Sequence, residues 1–265
     1  MTVPWFRPYV PSPDVNDVLD CRYVAASAGR HDLIPDGSMD LVWNEDADPL
    51  LCGPDTRAWG FDMAVGTRMA GVRFRPGAAA AVFGVDAVTL VDRRVPLADL
   101  LGGRPARELS ERLAEADDVT RLSLLEDLVR RRVGGADIDP TVELAAMIAD
   151  APYGGVAGLA EGRGVSARQL RRWFDRSVGY GPGFFARIAR LQHFAKGAAR
   201  WPDRGLAELA AAAGYVDQSH LAKDARAITG RTPRELTTVL GRSSLAVDVR
   251  SVQDASGRSP SRWAA

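Results

Sequence analysis

The sequence has few of the residues that build disulfide frameworks and transition-metal sites. Of its 265 residues, only two are cysteine and three are histidine. Cys21 and Cys52 form neither a CxxC motif nor a metal-spaced set, so we interpret them as reduced cytosolic thiols. No apolar run approaches the ~20 residues that span a bilayer, and the first ten residues lack the basic and apolar regions of a signal peptide. These absences predict a cytoplasmic protein that makes no contact with a membrane.

Familiar catalytic motifs are absent as well. The sequence contains no GxSxG, HExxH, Walker loop or glycine-rich dinucleotide turn. His31 with Asp32, Asp36 and Asp40 could suggest a metal site, but a cupin-like site needs several converging histidine and carboxylate ligands. Asp36 is better explained as a turn residue beside Gly37. We therefore predict no enzyme activity, no metal and no cofactor.

A net charge of zero hides a strong asymmetry along the chain. Residues 1–150 contain 16 Lys+Arg and 25 Asp+Glu, a net charge of −9, whereas residues 151–240 contain 14 and 7, a net charge of +7. A basic block beside an acidic one indicates that the basic half contacts a polyanion, although a surface of solvated arginines would give the same count. Charge alone does not decide between the two.

The chain changes from strand patterns to helix patterns. Short runs bounded by turn residues predict a β-rich domain over residues 1–95. A helical connector follows over 96–152, with amphipathic helices predicted over 97–116 and 119–132. Residues 153–240 have helical spacing, and residues 241–265 lose periodicity, which predicts a disordered tail. The predicted fold class is α+β with two domains, a small β-rich one with trailing helices and then an all-α one.

An internal repeat divides the basic half into two similar units. Leu159, Ala160 and Gly164 recur 50 residues later, and the offset becomes 51 after the turn. One insertion in the turn thus keeps two copies in register, which indicates a duplicated structural unit. The pairs offset by 51 are Ser166 and Asp217, Leu170 and Leu221, Arg172 and Lys223, Gly179 and Gly230, and Pro182 and Pro233.

Each unit has the pattern of a helix, a tight turn and a second helix. Gly164 or Gly214 lets the chain leave the first helix with positive φ, and Ser166 or Asp217 can cap the second. The second helix then presents outward the polar side chains that read base edges in a major groove. One such hairpin with solvated arginines would be unremarkable, but two basic copies favour a pair of DNA-reading helix-turn-helix units.

Between the units, residues 184–200 are predicted to form one helix with Phe184, Ile188, Leu191 and Ala195 on its inner side. Seventeen residues at ~1.5 Å each give about 25 Å. A helix of that length could hold two recognition helices near one DNA turn apart, ~34 Å, so that both enter adjacent major grooves on one face.

The same stretch, from about Val156 to Leu240, resembles the AraC family of bacterial transcription regulators. The resemblance rests on the segments LAEGRGVSARQLRRWF, GYGPGFFARIARLQ and LAELAAAAGYVDQSHLAKDARAITGRTPREL. It implies a sequence-specific DNA-binding regulator. There are two departures: Ala225 stands where the family usually has a large aromatic side chain, and Gly162 lies inside the first helix of the first unit, where glycine costs ~1 kcal/mol relative to alanine. The DNA-binding residues predicted from the capping pattern and the resemblance together are Ser166, Arg168, Gln169, Arg171, Arg172, Gln218, Ser219, His220 and Lys223.

The N-terminal half resembles the small domain of one subgroup of these regulators, through LIPDGSMDLVWN, CGPDTRAW and GVRFRPGAAAAVFGV. The resemblance implies a sensor or dimerisation module. The expected partners are double-stranded DNA, a small-molecule effector in the N-terminal domain, a second copy of the chain and, for an activator, RNA polymerase.

Two alternative functions stay open. A DNA-repair or other enzyme fused to a helix-turn-helix reader would need a zinc–thiolate cluster or a reactive cysteine, and a scaffold of helical hairpins would not bind DNA.

Overall fold

A computed structural model describes residues 5–134, 140–152 and 156–240 of the chain. The predicted disordered tail, 241–265, lies outside the described residues. The predicted α+β class is confirmed, because a β-rich N-terminal part is followed by a helical C-terminal part. Within the described residues, no helix is both long enough and apolar enough to cross a bilayer.

The described strands of the N-terminal part form one six-stranded antiparallel sheet, in the order β1-β2-β7-β4-β5-β8, and a separate ribbon of β3 and β6. Five of the six sheet strands lie before residue 75, and β8 is added at the edge by the chain that returns after the first helix. The strands are β1 Trp5–Tyr9, β2 Leu19–Ala26, β3 Arg30–Leu33, β4 Met39–Asn44, β5 Ala47–Cys52, β6 Trp59–Asp62, β7 Arg68–Phe74 and β8 Arg94–Pro96.

The two faces of the large sheet differ in chemistry because successive side chains point to opposite sides of a strand. Leu41 lies opposite Leu51 and Val72, and all three are fully buried in a core shared with the first helices. One residue earlier on the same strand, Asp40 lies opposite Arg73 on the other face. The sheet therefore has one apolar face and one face that carries charge.

The helices after the sheet begin and end close to the predicted signals. Gly84 ends the first helix with φ +69. The helix predicted over 97–116 is divided in two at Gly102, whose φ of +85 and ψ of 153 interrupt the helix. The helices are α1 Ala78–Phe83, α2 Leu97–Leu101, α3 Gly103–Glu115, α4 Asp118–Val133, α5 Thr141–Asp150, α6 Val156–Gly162, α7 Ala167–Ser177, α8 Pro182–Arg200, α9 Leu206–Ala212, α10 Gln218–Thr229 and α11 Pro233–Leu240, with a short 3-10 helix at Ala87–Leu90.

A second apolar core holds α5 and the helices of the basic half together. Helix α8 supplies its centre with Phe185, Ile188 and Leu191, each at most 1% exposed. Phe184, predicted on the inner side, is half-buried and packs against this core, whereas its neighbour Phe185 is almost fully buried. The reason is that Phe185 faces both Phe174 of α7 and the N-terminal part, which the helical pattern of α8 alone does not reveal.

Candidate DNA-binding site

The two units of the repeat have the same local geometry. Gly164 and Gly214, at the turns, have φ of +64 and +83. Ser166 Oγ accepts a hydrogen bond from the Gln169 backbone N–H at 3.2 Å, and Asp217 Oδ1 accepts one from the His220 N–H at 2.7 Å. Both predicted N-caps are confirmed, and each satisfies an amide that would otherwise lack a partner in the first turn.

The polar residues predicted for DNA binding lie in the N-terminal halves of the capped helices α7 and α10. Most of them are exposed, whereas Gln169 and His220 are half-buried. The Arg171 side chain is 74% exposed and forms a loose ion pair with Asp175 at 3.7 Å. The exposed members are Ser166, Arg168, Arg171, Arg172, Gln218, Ser219 and Lys223.

Helix α11 borders the second unit. Thr232 and Glu235 form a reciprocal capping box at its start: the Thr232 N–H donates to Glu235 Oε2 at 2.7 Å, and the Glu235 N–H donates to Thr232 Oγ1 at 3.3 Å. The exposed Arg234 follows at once and lines the same open groove as Gln218. A cationic side chain thus lies beside the start of α10.

The C-terminal ends of α7 and α10 contact the N-terminal part of the chain. At the end of α10, the Ala58 N–H donates to the carbonyl oxygen of Ile228 at 2.7 Å, and Arg231 pairs with Asp32 at 3.2 Å. At the end of α7, Arg176 pairs with Asp86 at 3.3 Å. One end of each helix is therefore held, and the opposite end, with the cap and the polar side chains, is left exposed.

Two glycines permit this close approach between the two parts. Gly179, with φ +100, lies where a β-carbon would be 2.9 Å from both Pro54 and Val91. Gly37, with φ +85, lies against the ring of Phe185, which a β-carbon would strike at 2.3 Å. Since both φ values and both spaces exclude other residues, these glycines shape the interface between the two parts.

Comparison with known families finds one match in each half of the chain. A family model described as a helix-turn-helix domain matches residues 159–238, which contain both units. The chain carries an AraC-type helix-turn-helix domain. A second model, described as a domain of unknown function (DUF6597), matches residues 7–96, which contain the sheet. The AraC-type, DNA-binding character thus belongs to the helix-turn-helix domain of residues 159–238.

Among solved structures, the chain is similar to ToxT from Vibrio cholerae strain SCE256, crystallised with an unsaturated fatty acid. The TM-score is 0.44 and the identity 8%, with 84% of this chain and 97% of that chain covered. A likeness this low carries no argument about function. No curated protein gives a significant match.

The candidate sites of the N-terminal part have structural partners. His31 Nε2 lies 2.9 Å from Ser27 Oγ, its ring stacks on Phe61, and burial lowers its pKa. Arg73 forms two hydrogen bonds of 3.0 Å with Asp40. Among the described residues, no group of three or more His, Cys, Asp or Glu side chains could hold a metal ion.

Neither cysteine has the environment of a nucleophile. Cys21 and Cys52 are both free thiols, on strands β2 and β5 of the large sheet. Burial raises the pKa of each to about 12. A reactive cysteine needs a lowered pKa and an electropositive setting. The enzyme alternative, which required such a thiol, gains nothing from this geometry.

One buried ion pair of the AraC-type domain was missed in the sequence. Asp224 on α10 is a carboxylate with only 4% of its side chain exposed, and it pairs with Arg187 of α8 at 2.8 Å. Its spacing was a usable signal: Leu221, Asp224 and Ile228 are three and four residues apart and therefore share the buried face of α10. A charge on that face requires a partner from another helix.

The cap at Ser166 gives a first test of the AraC-type domain. Ser166→Ala should destabilise the protein by about 0.5–2 kcal/mol, because the Gln169 N–H loses its acceptor, whereas Ser166→Asp should retain the cap. Thermal and urea unfolding of the two variants measure the difference. Equal melting of both variants would show that the hydroxyl contributes nothing as a cap.

Proposed function

We propose that the protein is a sequence-specific transcription regulator that reads adjacent major grooves with α7 and α10. The observation that carries the proposal is the common orientation of both units. Each recognition helix has its C-terminal end packed on the N-terminal part and its capped N-terminal end exposed with polar side chains. Helix-turn-helix proteins read bases with the N-terminal residues of the recognition helix.

The span of α8 supports this geometry. With 19 residues at ~1.5 Å each, α8 is about 28 Å long. Successive major grooves on one face of DNA are ~34 Å apart. A rigid helix of this length between two units can place both recognition helices on one face of the duplex.

The N-terminal part is, in this proposal, the sensor or dimerisation module, with residues 1–95, 96–152 and 153–240 as sensor, connector and reader. Its contacts support the role because it touches the ends of both recognition helices through Asp86 and Ala58. An effector or a second copy bound there would act on both readers, and contact with RNA polymerase would follow for an activator. A regulator that reads bacterial DNA would act in the cytoplasm.

Selection of binding sites from random duplex DNA tests the proposal. The full chain should enrich one site with two conserved blocks about one helical turn apart. Arg168→Ala or Arg172→Ala should cost about 1–3 kcal/mol at that site, because an arginine that pairs with a guanine edge is lost. The change should be concentrated at one or two base positions in the block read by α7.

Gln218→Ala is the matched variant in the other unit and should alter base positions only in the second block. We expect it to relax specificity less than the arginine variants, since Ala225 gives α10 less apolar support than Phe174 gives α7. Enrichment of no site by the wild-type chain would refute sequence-specific reading. Unchanged preferences in all three variants would refute the assignment of α7 and α10.

A further inference from the structure

Phe174 anchors the first recognition helix of the AraC-type domain by apolar packing. It is fully buried on α7, and its ring centroid lies 6.1 Å from that of Phe185 on α8. Deleting a buried aromatic ring leaves a cavity and costs several kcal/mol. The contact between Phe174 and Phe185 therefore helps to keep α7 in place on α8.

The second recognition helix lacks this anchor. The 51-residue offset of the repeat places Ala225 at the position of Phe174, and Ala225 is likewise fully buried. A methyl group fills far less of the core than a phenyl ring, so α10 receives less apolar support from that position. Leu221 and Ile228 still bury α10 in the core, but at this position the apolar support of the ring is missing.

An ion pair takes the place of the missing ring, and its carboxylate belongs to Asp224, the residue before Ala225. Asp224, at the position of Trp173 in the first unit, pairs through Oδ1 with Arg187 Nε at 2.8 Å, while its Oδ2 lies 3.8 Å from Arg190 Nη2. Both arginines belong to α8. Coulomb attraction is strong at such distances because water is largely excluded from the Asp224 carboxylate.

The cluster extends to the DNA-reading end of α10. His220 Nε2 lies 4.0 Å from Asp224 Oδ2, and the His220 ring meets Tyr215 edge to face at 5.1 Å. Arg190 in turn lies over the Tyr215 ring at 5.7 Å and donates to the carbonyl oxygen of Pro152 at 3.1 Å. Asp224 thus lies beside a half-buried residue of the predicted reading surface.

We propose that Asp224 is the positioning residue of the second recognition helix, fixing α10 on α8 through Arg187 and Arg190 in place of the buried aromatic ring that anchors α7. This inference rests on the proposed function. Its consequence is that the first reader is held by packing and the second by packing together with charge.

The test uses the full chain and the DNA site that the wild-type protein selects. Asp224→Asn keeps the size of the side chain but leaves both arginines without their counter-charge. It should weaken binding about tenfold, or about 1.4 kcal/mol. Base preference should flatten at the positions that respond to Gln218→Ala and should persist at those that respond to Arg172→Ala.

Two further variants complete the design. Arg187→Gln, at a half-buried position, should produce the same pattern, and combining it with Asp224→Asn should add no further loss. Glu208→Gln is the control. Glu208 lies on α9 of the same unit, and the variant removes its exposed ion pair with Arg204, which should change nothing. If Asp224→Asn proves too unstable to fold, Arg187→Gln alone decides between the outcomes.

Unchanged base preference in the second block would overturn the proposal, and so would equal flattening of both blocks, which would mean general destabilisation. Failure of the proposed function is distinguishable from these results. In that case the wild-type chain selects no site, and the variants have nothing to alter.

Discussion

Affinity of the full chain for duplex DNA is expected to fall about 10³- to 10⁵-fold between about 50 and 200 mM salt, the range for proteins that neutralise about six to ten phosphates. The physical reason is release of condensed counterions when arginines approach the DNA backbone. Residues 151–240, with a net charge of +7, supply those arginines. Fluorescence anisotropy with a labelled duplex over a salt series measures the slope.

Two arginine variants test whether the salt dependence of binding comes from residues that contact DNA or from the net charge of the whole chain. Arg234, exposed in the groove beside Gln218, is placed to contact a phosphate, so Arg234→Gln should lower the slope by about one. Arg104→Gln removes the same charge from an 83% exposed side chain of the connector and should leave the slope unchanged. A flat salt response, or no binding at low salt, would contradict DNA binding by this domain.

Features set by neighbouring residues could be predicted from the sequence. Ser166 and Asp217 cap their helices, and Gly214 adopts positive φ, because caps and turns depend on amides two or three residues away. The repeat strengthened these predictions, since each unit confirmed the other. The DNA-binding roles of the exposed side chains remain predictions.

Contacts between distant parts of the chain could not be predicted in this way. Arg231 and Asp32 are 199 residues apart, and Arg176 and Asp86 are 90 apart, so the sequence counted these arginines as part of a basic surface. The structure assigns both to ion pairs between the two parts. The deeper burial of Phe185 than of Phe184 has the same cause, because the packing of α8 against Phe174 and Gly37 determines which neighbouring aromatic is more buried.

Phe174→Ala is expected to destabilise the protein by about 3–5 kcal/mol, the usual cost of emptying the site of a buried phenyl ring. Phe174 is fully buried and packs on Phe185, so little room exists for the surroundings to collapse. Urea unfolding measures the loss. Phe184→Ala is the matched control on a half-buried ring two residues into α8, and it should cost clearly less.

The same variant also tests whether the two recognition helices are anchored differently. Phe174→Ala gives the first unit the alanine that the second already has at Ala225, but without an acidic neighbour, because the preceding residue is Trp173. Helix α7 would then have neither anchor, whereas α10 keeps the Asp224 ion pairs. At temperatures where the variant is still folded, site selection should show lost preference in the block read by α7 and retained preference in the block read by α10. A cost no larger than that of Phe184→Ala, or equal loss in both blocks, would show that the ring does not hold α7 in its reading position.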